Sequence, residues 1–478
     1  MHLGWIVLLP PIVAIVLALW TRQVYLSLVA GLLIGTTILV GGNPILGLRE
    51  LADQLVAVFS DPGNTRVVFF CLLVGGLIAL VQVSGGVQGF IGWAQSKGWG
   101  TTRRGAELLA WGVGMAIFVE SSITSLTVGA VSRPFFDKLH LPREKLAYYC
   151  DATSAPVCMS IPLNGWGAYV LGLIAAQGIT EGAVTLLVSA LLFNFFSIGA
   201  IFFSLFLAIS GAGFGPMRKA EKRAAETGQL IRPDSKPLIA EEVADIQPVE
   251  HSKRQVRDLL IPIFVMVLMI FVSLYITGNG NLMEGSGSTS VLWSVGTAVL
   301  VAMLLYAIPR RVLGGRSLLT PSDTVDWVLR GSAGLIGVTL LIVLAFALGQ
   351  VSRELDMGTY VVSLVGTGGP VWWIPAVIFA IGCFVSFTLG SSWTAFAILV
   401  PIALPLAQGL GISAPLMLGA VLSGGVYGDH ASPLSDTSII SSMSAACDHV
   451  DHVNTQLPYT LLLAVAAFIG FLVAGVIT

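Results

Sequence analysis

"GDHASPLSDTS" occupies residues 428–438. It packs Asp429, His430 and Asp436 among three Ser and one Thr, with Pro433 near the middle. The polar character continues to residue 460, through Asp448, His449, Asp451 and His452, while the chain on either side is almost pure hydrocarbon. A continuous helix facing lipid cannot carry such a stretch, and Pro433 removes a backbone hydrogen bond within it. Unwound backbone at membrane depth is tolerated only where protein or a water-filled cavity surrounds it. The stretch therefore predicts a broken helix, with its free ends turned toward a polar site.

The rest of the chain sets the class. Of 478 residues, 55% are hydrophobic and 10% are charged, against about 25% charged in soluble domains. Apolar runs such as 258–277, 291–308, 331–350 and 458–476 can each cross a hydrocarbon core of about 30 Å as a helix. The fold class is an all-α polytopic membrane protein. Residues 5–20 lack a basic leader and a small-residue cleavage site, so no cleaved signal peptide is expected. Cys71, Cys150, Cys158, Cys383 and Cys447 are scattered and read as core thiols. The net charge of −2, without a basic stripe, gives no sign of nucleic-acid binding.

A polar segment, residues 212–257, divides the chain and reads as a mobile cytoplasmic linker. The flanks resemble each other. Gln82-Val83-Ser84 matches Gln350-Val351-Ser352, "ESSIT" (120–124) matches "GSSWT" (390–394), Pro134 matches Pro405, and "DATSAP" (151–156) matches "DHASP" (429–433). The matches keep one order at a nearly constant offset, which predicts an internal repeat. If each half has about five spanning helices and one re-entrant hairpin, the odd number of crossings inverts the second half. That arrangement puts 21 of the 24 Lys and Arg inside, leaving only Arg49, Arg66 and Arg353 outside, as the positive-inside tendency requires. Both termini then lie outside.

The expected units are a first repeat over 1–211, the linker, and a second, inverted repeat over 258–478. The hairpins are expected at about 105–132 and 372–408, and the broken helices at about 146–175 and 415–446, with their breaks at the midplane. Broken helices at corresponding places of two halves mark the binding site of a transporter. The candidate oxygen donors are Glu120, Ser121, Ser122, Thr124, Asp151, Thr153 and Ser154 in the first half. In the second they are Ser391, Ser392, Thr394, Asp429, Ser432, Ser435, Asp436 and Thr437. Many membrane Ser and Thr merely bond backbone or let helices approach, whereas an intramembrane carboxylate is costly and marks function. Asp151 and Asp429 are candidates for Na⁺, and with His430 for proton coupling. Asp448, His449, Asp451 and His452 read as a solvated helix end, with a metal site or a proton-responsive histidine as alternatives. No Lys or Arg falls in the broken segments, so a cation or zwitterion is the simpler cargo.

The run "GDHASPLSDTSIISS", followed by "DHVDHVNTQLPY", resembles the C-terminal signature of NhaC-type Na⁺/H⁺ antiporters, a family grouped with two-hairpin, inverted-repeat transporters. The resemblance implies Na⁺ and H⁺ traffic. It leaves the cargo open, because relatives are associated with Na⁺/H⁺ exchange, malate–lactate exchange and amino-acid transport. This chain departs from the Gly- and Thr-rich first tip expected of the family by carrying Glu120-Ser121-Ser122. The expected function is secondary transport of a small cationic or zwitterionic solute on a Na⁺ or H⁺ gradient, with Na⁺/H⁺ antiport its simplest form. Na⁺- or H⁺-coupled transport of an amino acid, amine or carboxylate is the alternative. A channel is disfavoured by the inverted repeat, and an intramembrane aspartyl protease by the absence of its Gly-x-Gly-Asp context. No Walker motif is present. No enzyme activity and no cofactor beyond the coupling ion are expected. The expected partners are the bilayer, the solute and, as an open arrangement, a second copy in a homodimer.

Overall fold

The computed structural model describes residues 4–478 except 22, 87, 91–92, 94–101, 119, 180–181, 238–254, 310–314, 357–359 and 361–369. The basic residues Arg22, Lys97, Lys253, Arg254, Arg310 and Arg311, which entered the charge argument, lie outside the described residues, as does the side chain of Ser122. The regular elements described are helices. The first half contributes α1 (Leu9–Thr21), α2 (Val24–Leu39), α3 (Pro44–Ala57), α4 (Pro62–Val83), α5 (Arg103–Ala116), α6 (Ser121–Lys138), α7 (Arg143–Ala152), α8 (Ala155–Ser160), α9 (Gly165–Ala175), α10 (Ala183–Leu191) and α11 (Phe195–Ser210). Next come α12 (Gly215–Thr227), α13 (Arg257–Thr277), α14 (Gly287–Ala307), α15 (Pro321–Gly334) and α16 (Ile336–Glu354). The chain ends with α17 (Ile374–Leu389), α18 (Ser392–Leu410), α19 (Ala414–Ala431), α20 (Asp436–Ser444) and α21 (His449–Ile477). Six stretches among the described residues are long and apolar enough to cross a membrane. Counting each of two bent pairs as one span raises this to eight.

The expected breaks are present, and local chemistry explains each. Between α5 and α6 the helix stops at Ala116. Thr124 Oγ1 then faces the carbonyls of Ile117 and Glu120, the second of which also accepts from Thr124 N. Between α17 and α18 the chain turns at Gly390, which has φ +68°, and Ser391 caps the next helix through Thr394 N. Ser435 caps α20 through Ser438 N. Asn164 caps α9 by accepting from Trp166 and Gly167 N. Each capping side chain satisfies an N–H that the break would otherwise strand.

Gly390 is needed twice over. Its left-handed backbone costs an L-residue about 1–2 kcal/mol, and a Cβ there would meet Leu434 O at 2.5 Å. The hairpin tip therefore rests directly on the break between α19 and α20. Gly390→Ala is expected to lower the melting temperature of the purified protein and to loosen this contact, read as faster amide exchange over 432–435. An unchanged melting temperature would show that the tip can move away freely.

Helices α17 and α19 approach closely at Gly424 and Gly428, where added Cβ atoms would meet Phe379 O at 2.5 Å and Phe387 N at 2.2 Å. Small residues four apart allow this contact in a membrane. The two halves also pack reciprocally: α4 lies on α14 and α15, while α16 lies on α2 and α3. One contiguous hydrophobic core joins them.

The linker needs correction where it is described. Residues 215–227 are not mobile. They form helix α12, which buries Met217, Ala220 and Ala224 against α7 and α21. Arg223 grips Glu144 through both carboxylate oxygens at 2.9 and 3.0 Å. Glu221 meets Lys145 at 2.6 Å, and farther on Arg232 meets Asp451 at 3.3 Å. Charge density alone suggested a solvated segment; the Met217-Ala220-Ala224 stripe, at helical spacing, is what docks it.

Candidate functional site

The breaks meet around one cavity of about 460 Å³. Glu120 and Ser121 reach it from the first hairpin, Ser391, Trp393 and Thr394 from the second, and Asp429, Asp436 and Thr437 from the α19–α20 break. Phe70 and Trp166 supply apolar walls, and no Lys or Arg among the described residues lines it. Trp393 stacks on Tyr169 with ring centroids 4.5 Å apart, and Tyr169 OH donates to Trp393 O at 2.8 Å. This fixes the aromatic wall.

Asp429 sits in a cage of hydroxyls. Ser392 Oγ donates to Oδ2 at 2.8 Å and Ser435 Oγ to Oδ1 at 2.8 Å. Thr437 Oγ1 lies 3.4 Å from Oδ1 and 2.8 Å from Ser435 Oγ. The carboxylate is thus 1% exposed, held by groups that can rotate to present lone pairs instead. Such a shell suits a hard cation.

Asp151 lies behind the cavity, fully buried, and its surroundings differ. Ser438 Oγ and Gln456 Nε2 both donate to Oδ2 at 2.8 Å. His430 Nδ1 and His452 Nε2 stand 3.3 and 3.8 Å from the same oxygen. One hydroxyl and one amide N–H thus donate to this carboxylate, and the other near groups are imidazole nitrogens, where Na⁺ would need oxygens. Its Oδ1 and both ring nitrogens of His430 are buried without a hydrogen-bond partner among the described residues.

The remaining expected donors divide cleanly. Thr124, Thr153 and Ser154 spend their hydroxyls on backbone carbonyls: Thr153 on Tyr149 O at 2.7 Å and Ser154 on Asp151 O at 2.8 Å. Ser432 Oγ accepts from Leu434 N. These four shape the breaks and do not line the cavity. The "solvated helix end" also needs correction. His452 is fully buried, bonded to Ser442 Oγ at 2.8 Å and Gln456 Oε1 at 2.9 Å, because α20 folds back across that face of α21. Asp448 caps α21. Burial alone would raise its carboxyl pKa, but the N–H groups of Lys236, Asp451 and Val450 outweigh this and hold it below the usual range. Among the described residues no group of three His, Cys, Asp or Glu is placed to hold a metal.

Sequence reading missed Ser438, Gln456 and Ser442. Gln456 stands one helical turn after His452, and Ser438 and Ser442 are one turn apart. The spacing was visible, but not the partner helix each faces. It also missed the buried Lys145–Glu107 pair, 2.8 Å apart.

Comparison with known proteins gives the geometry a context. A protein of Haemophilus influenzae with no described function is 34% identical, covering 98% of this chain and 90% of its own length. The arginine/ornithine antiporter ArcD of Halobacterium salinarum is 39% identical over a stretch covering 21% of this chain and 22% of its own. The YdaH transporter of Alcanivorax borkumensis has the same fold at a TM-score of 0.58, with 14% identity, covering 89% of this chain and 88% of its own. The Na⁺/H⁺ antiporter family matches residues 157–476, two-thirds of the chain and the whole of the α19–α21 site. The chain belongs to the Na⁺/H⁺ antiporter family and is a multi-pass secondary transporter.

Proposed function

We propose that the cavity binds a small organic cation or zwitterion, an amine or amino acid, and that its movement is coupled to Na⁺ or H⁺ at Asp429. The observation that carries this is the lining: Glu120, Asp429 and Asp436 with Trp166 and Trp393, and no basic residue among those described. Carboxylates and indole faces together favour a cation with an apolar body. The volume of about 460 Å³ falls among organic-ligand sites of roughly 300–1,000 Å³ and far exceeds a bare ion. The Halobacterium relative, an arginine/ornithine antiporter, points to the same cargo class. Plain Na⁺/H⁺ exchange is the second reading, favoured by the compact hydroxyl cage at Asp429. We assign Na⁺ to that cage and not to Asp151, whose neighbours donate hydrogen.

A thermal-shift screen of purified protein against amines, amino acids and carboxylic acids, with and without Na⁺, tests the reading. Stabilisation by cations or zwitterions is expected. Stabilisation by anionic acids alone would overturn it.

We also assign the α12 face to the cytoplasm and both termini to the outside, supported by the charge distribution and by the reciprocal packing of the halves. A Cys introduced at Asn281 should react with an impermeant maleimide applied from outside, and one at Glu226 should not. Both positions are exposed. Of the five native Cys, four are buried. The opposite labelling pattern would refute this orientation.

A further inference from the structure

Behind the cavity, α20 and α21 enclose two histidines whose hydrogen count does not close. Gln456 Nε2 faces two acceptors, Asp151 Oδ2 at 2.8 Å and His430 O at 2.6 Å. Its Oε1 therefore only accepts, and His452 Nε2, 2.9 Å away, must carry hydrogen. His449 Nε2 lies 2.8 Å from Pro433 O, a carbonyl that only accepts, so it carries hydrogen too. Neutral imidazole has one N–H. In the neutral state both Nδ1 atoms are therefore bare. Both point at Ser442 Oγ, at 3.0 Å from His449 and 2.8 Å from His452. Ser438 O stands 2.8 Å from the same hydroxyl. One hydroxyl hydrogen then faces three acceptors.

Adding one proton relieves the conflict between the two rings. If His449 Nδ1 is protonated, it donates to Ser442 Oγ, and Ser442 donates to His452 Nδ1. The mirror arrangement puts the proton on His452. We propose that His449, Ser442 and His452 form a proton-binding relay, separate from the cargo cavity, with Asp151 as the counter-charge at its inner end. Transfer is balanced: the His449 Nδ1–H bond breaks as a new Ser442 O–H bond forms, and the old Ser442 O–H bond breaks as His452 Nδ1–H forms. The hydroxyl is regenerated and one positive charge has moved inward.

The placement suits entry at one end only. His449 is half-buried at the rim, beside Asp448, whose carboxylate accepts from Lys236 N at 2.8 Å. Ser442 and His452 are fully buried. The charged and titratable surroundings come from every packed element. Asp151, Tyr148 and Glu144 stand on α7, and Asp429 and His430 at the end of α19. Asp436 opens α20. On α21 Asp451 is paired with Arg232, and Tyr459 packs on Tyr148 with ring centroids 5.2 Å apart. An imidazolium at His452 would keep its Nε2 3.8 Å from Asp151 Oδ2, so the buried charge would have an opposite partner.

The relay rests on the proton coupling implied by the proposed function, and the test separates the two. Full-length protein carrying ¹⁵N-histidine, reconstituted in phospholipid vesicles, would be followed by solid-state NMR from about pH 5 to 9, the range in which imidazole titrates. His449→Gln and His452→Gln assign the signals. Expected is one proton lost from the two rings together in a common step, with Nε2 protonated in both neutral rings. Ser442→Ala should abolish the common step. Where that variant fails to fold, Ser442→Thr should keep it, and His449→Gln should leave His452 titrating at a different midpoint. Fixed neutral rings throughout the range, or an unchanged common step in Ser442→Ala, would overturn the relay. Proton release on adding Na⁺, read with a pH indicator, is the second arm. A shared step without Na⁺-driven release supports the relay and removes Na⁺ coupling; release with silent rings removes the relay.

Discussion

Asp429→Asn is expected to yield a folded protein that no longer gains stability from Na⁺ and no longer accumulates cargo against a gradient. The amide keeps the shape of the side chain but has one oxygen where the carboxylate has two. Ser392 and Ser435 now donate to separate oxygens, so one hydroxyl must rotate to accept from the new NH₂ group. That adjustment is small, and folding survives it. The charge does not survive, and a cage of neutral hydroxyls alone binds Na⁺ poorly. A ligand at a hundred times its dissociation constant stabilises the folded state by about 2.7 kcal/mol. Loss of that increment is the expected size of the effect, measured as Na⁺-dependent melting of wild type and variant in parallel. Asp151→Asn should behave differently. Its neighbours donate hydrogen, so the variant should retain the Na⁺ response and lose proton coupling. A wild-type Na⁺ response in Asp429→Asn would move the coupling ion out of this cage.

The contrast between the two Asp shows how far sequence could reach. Their equivalent positions, each with a Ser three residues on, were legible, and so were the breaks, because Pro, Gly and hydroxyl clusters act locally on the backbone. Their different surroundings were not, because those depend on what other helices bring. Ser392, at the second hairpin tip, comes to Asp429 from 37 positions away. Gln456 comes to Asp151 from 305 positions away. The same limit explains Thr124, Thr153 and Ser154. A hydroxyl that caps a carbonyl and one that faces a ligand have the same local sequence. Only the direction in which the broken end points separates them. The linker differs for the opposite reason: its docking stripe is only one Met and two Ala in a charged segment, and the charge outweighs them in a sequence reading.

The docked linker carries the second large effect. Lys145 Nζ lies 2.8 Å from Glu107 and 2.6 Å from Glu221, and Tyr149 OH donates to Glu107 at 2.8 Å. The Lys145 and Glu107 side chains are each 3% exposed. This single ammonium joins hairpin helix α5, the Asp151-bearing α7 and linker helix α12. Lys145→Met fills the space but leaves two carboxylates facing each other without a cation. Removing one partner of a buried pair costs about 3–5 kcal/mol, so a steep fall in melting temperature is expected, with α12 released first. Limited proteolysis between 212 and 237 reports that release. Pairing Lys145→Met with Glu107→Gln and Glu221→Gln removes the stranded charges and should recover much of the loss, since replacing a whole buried ion cluster is often near neutral. If the triple variant is as unstable as the single one, packing and not charge holds the linker down. If it recovers stability but not transport, the cluster's role lies in how α12 holds α7, which carries Asp151 near its other end.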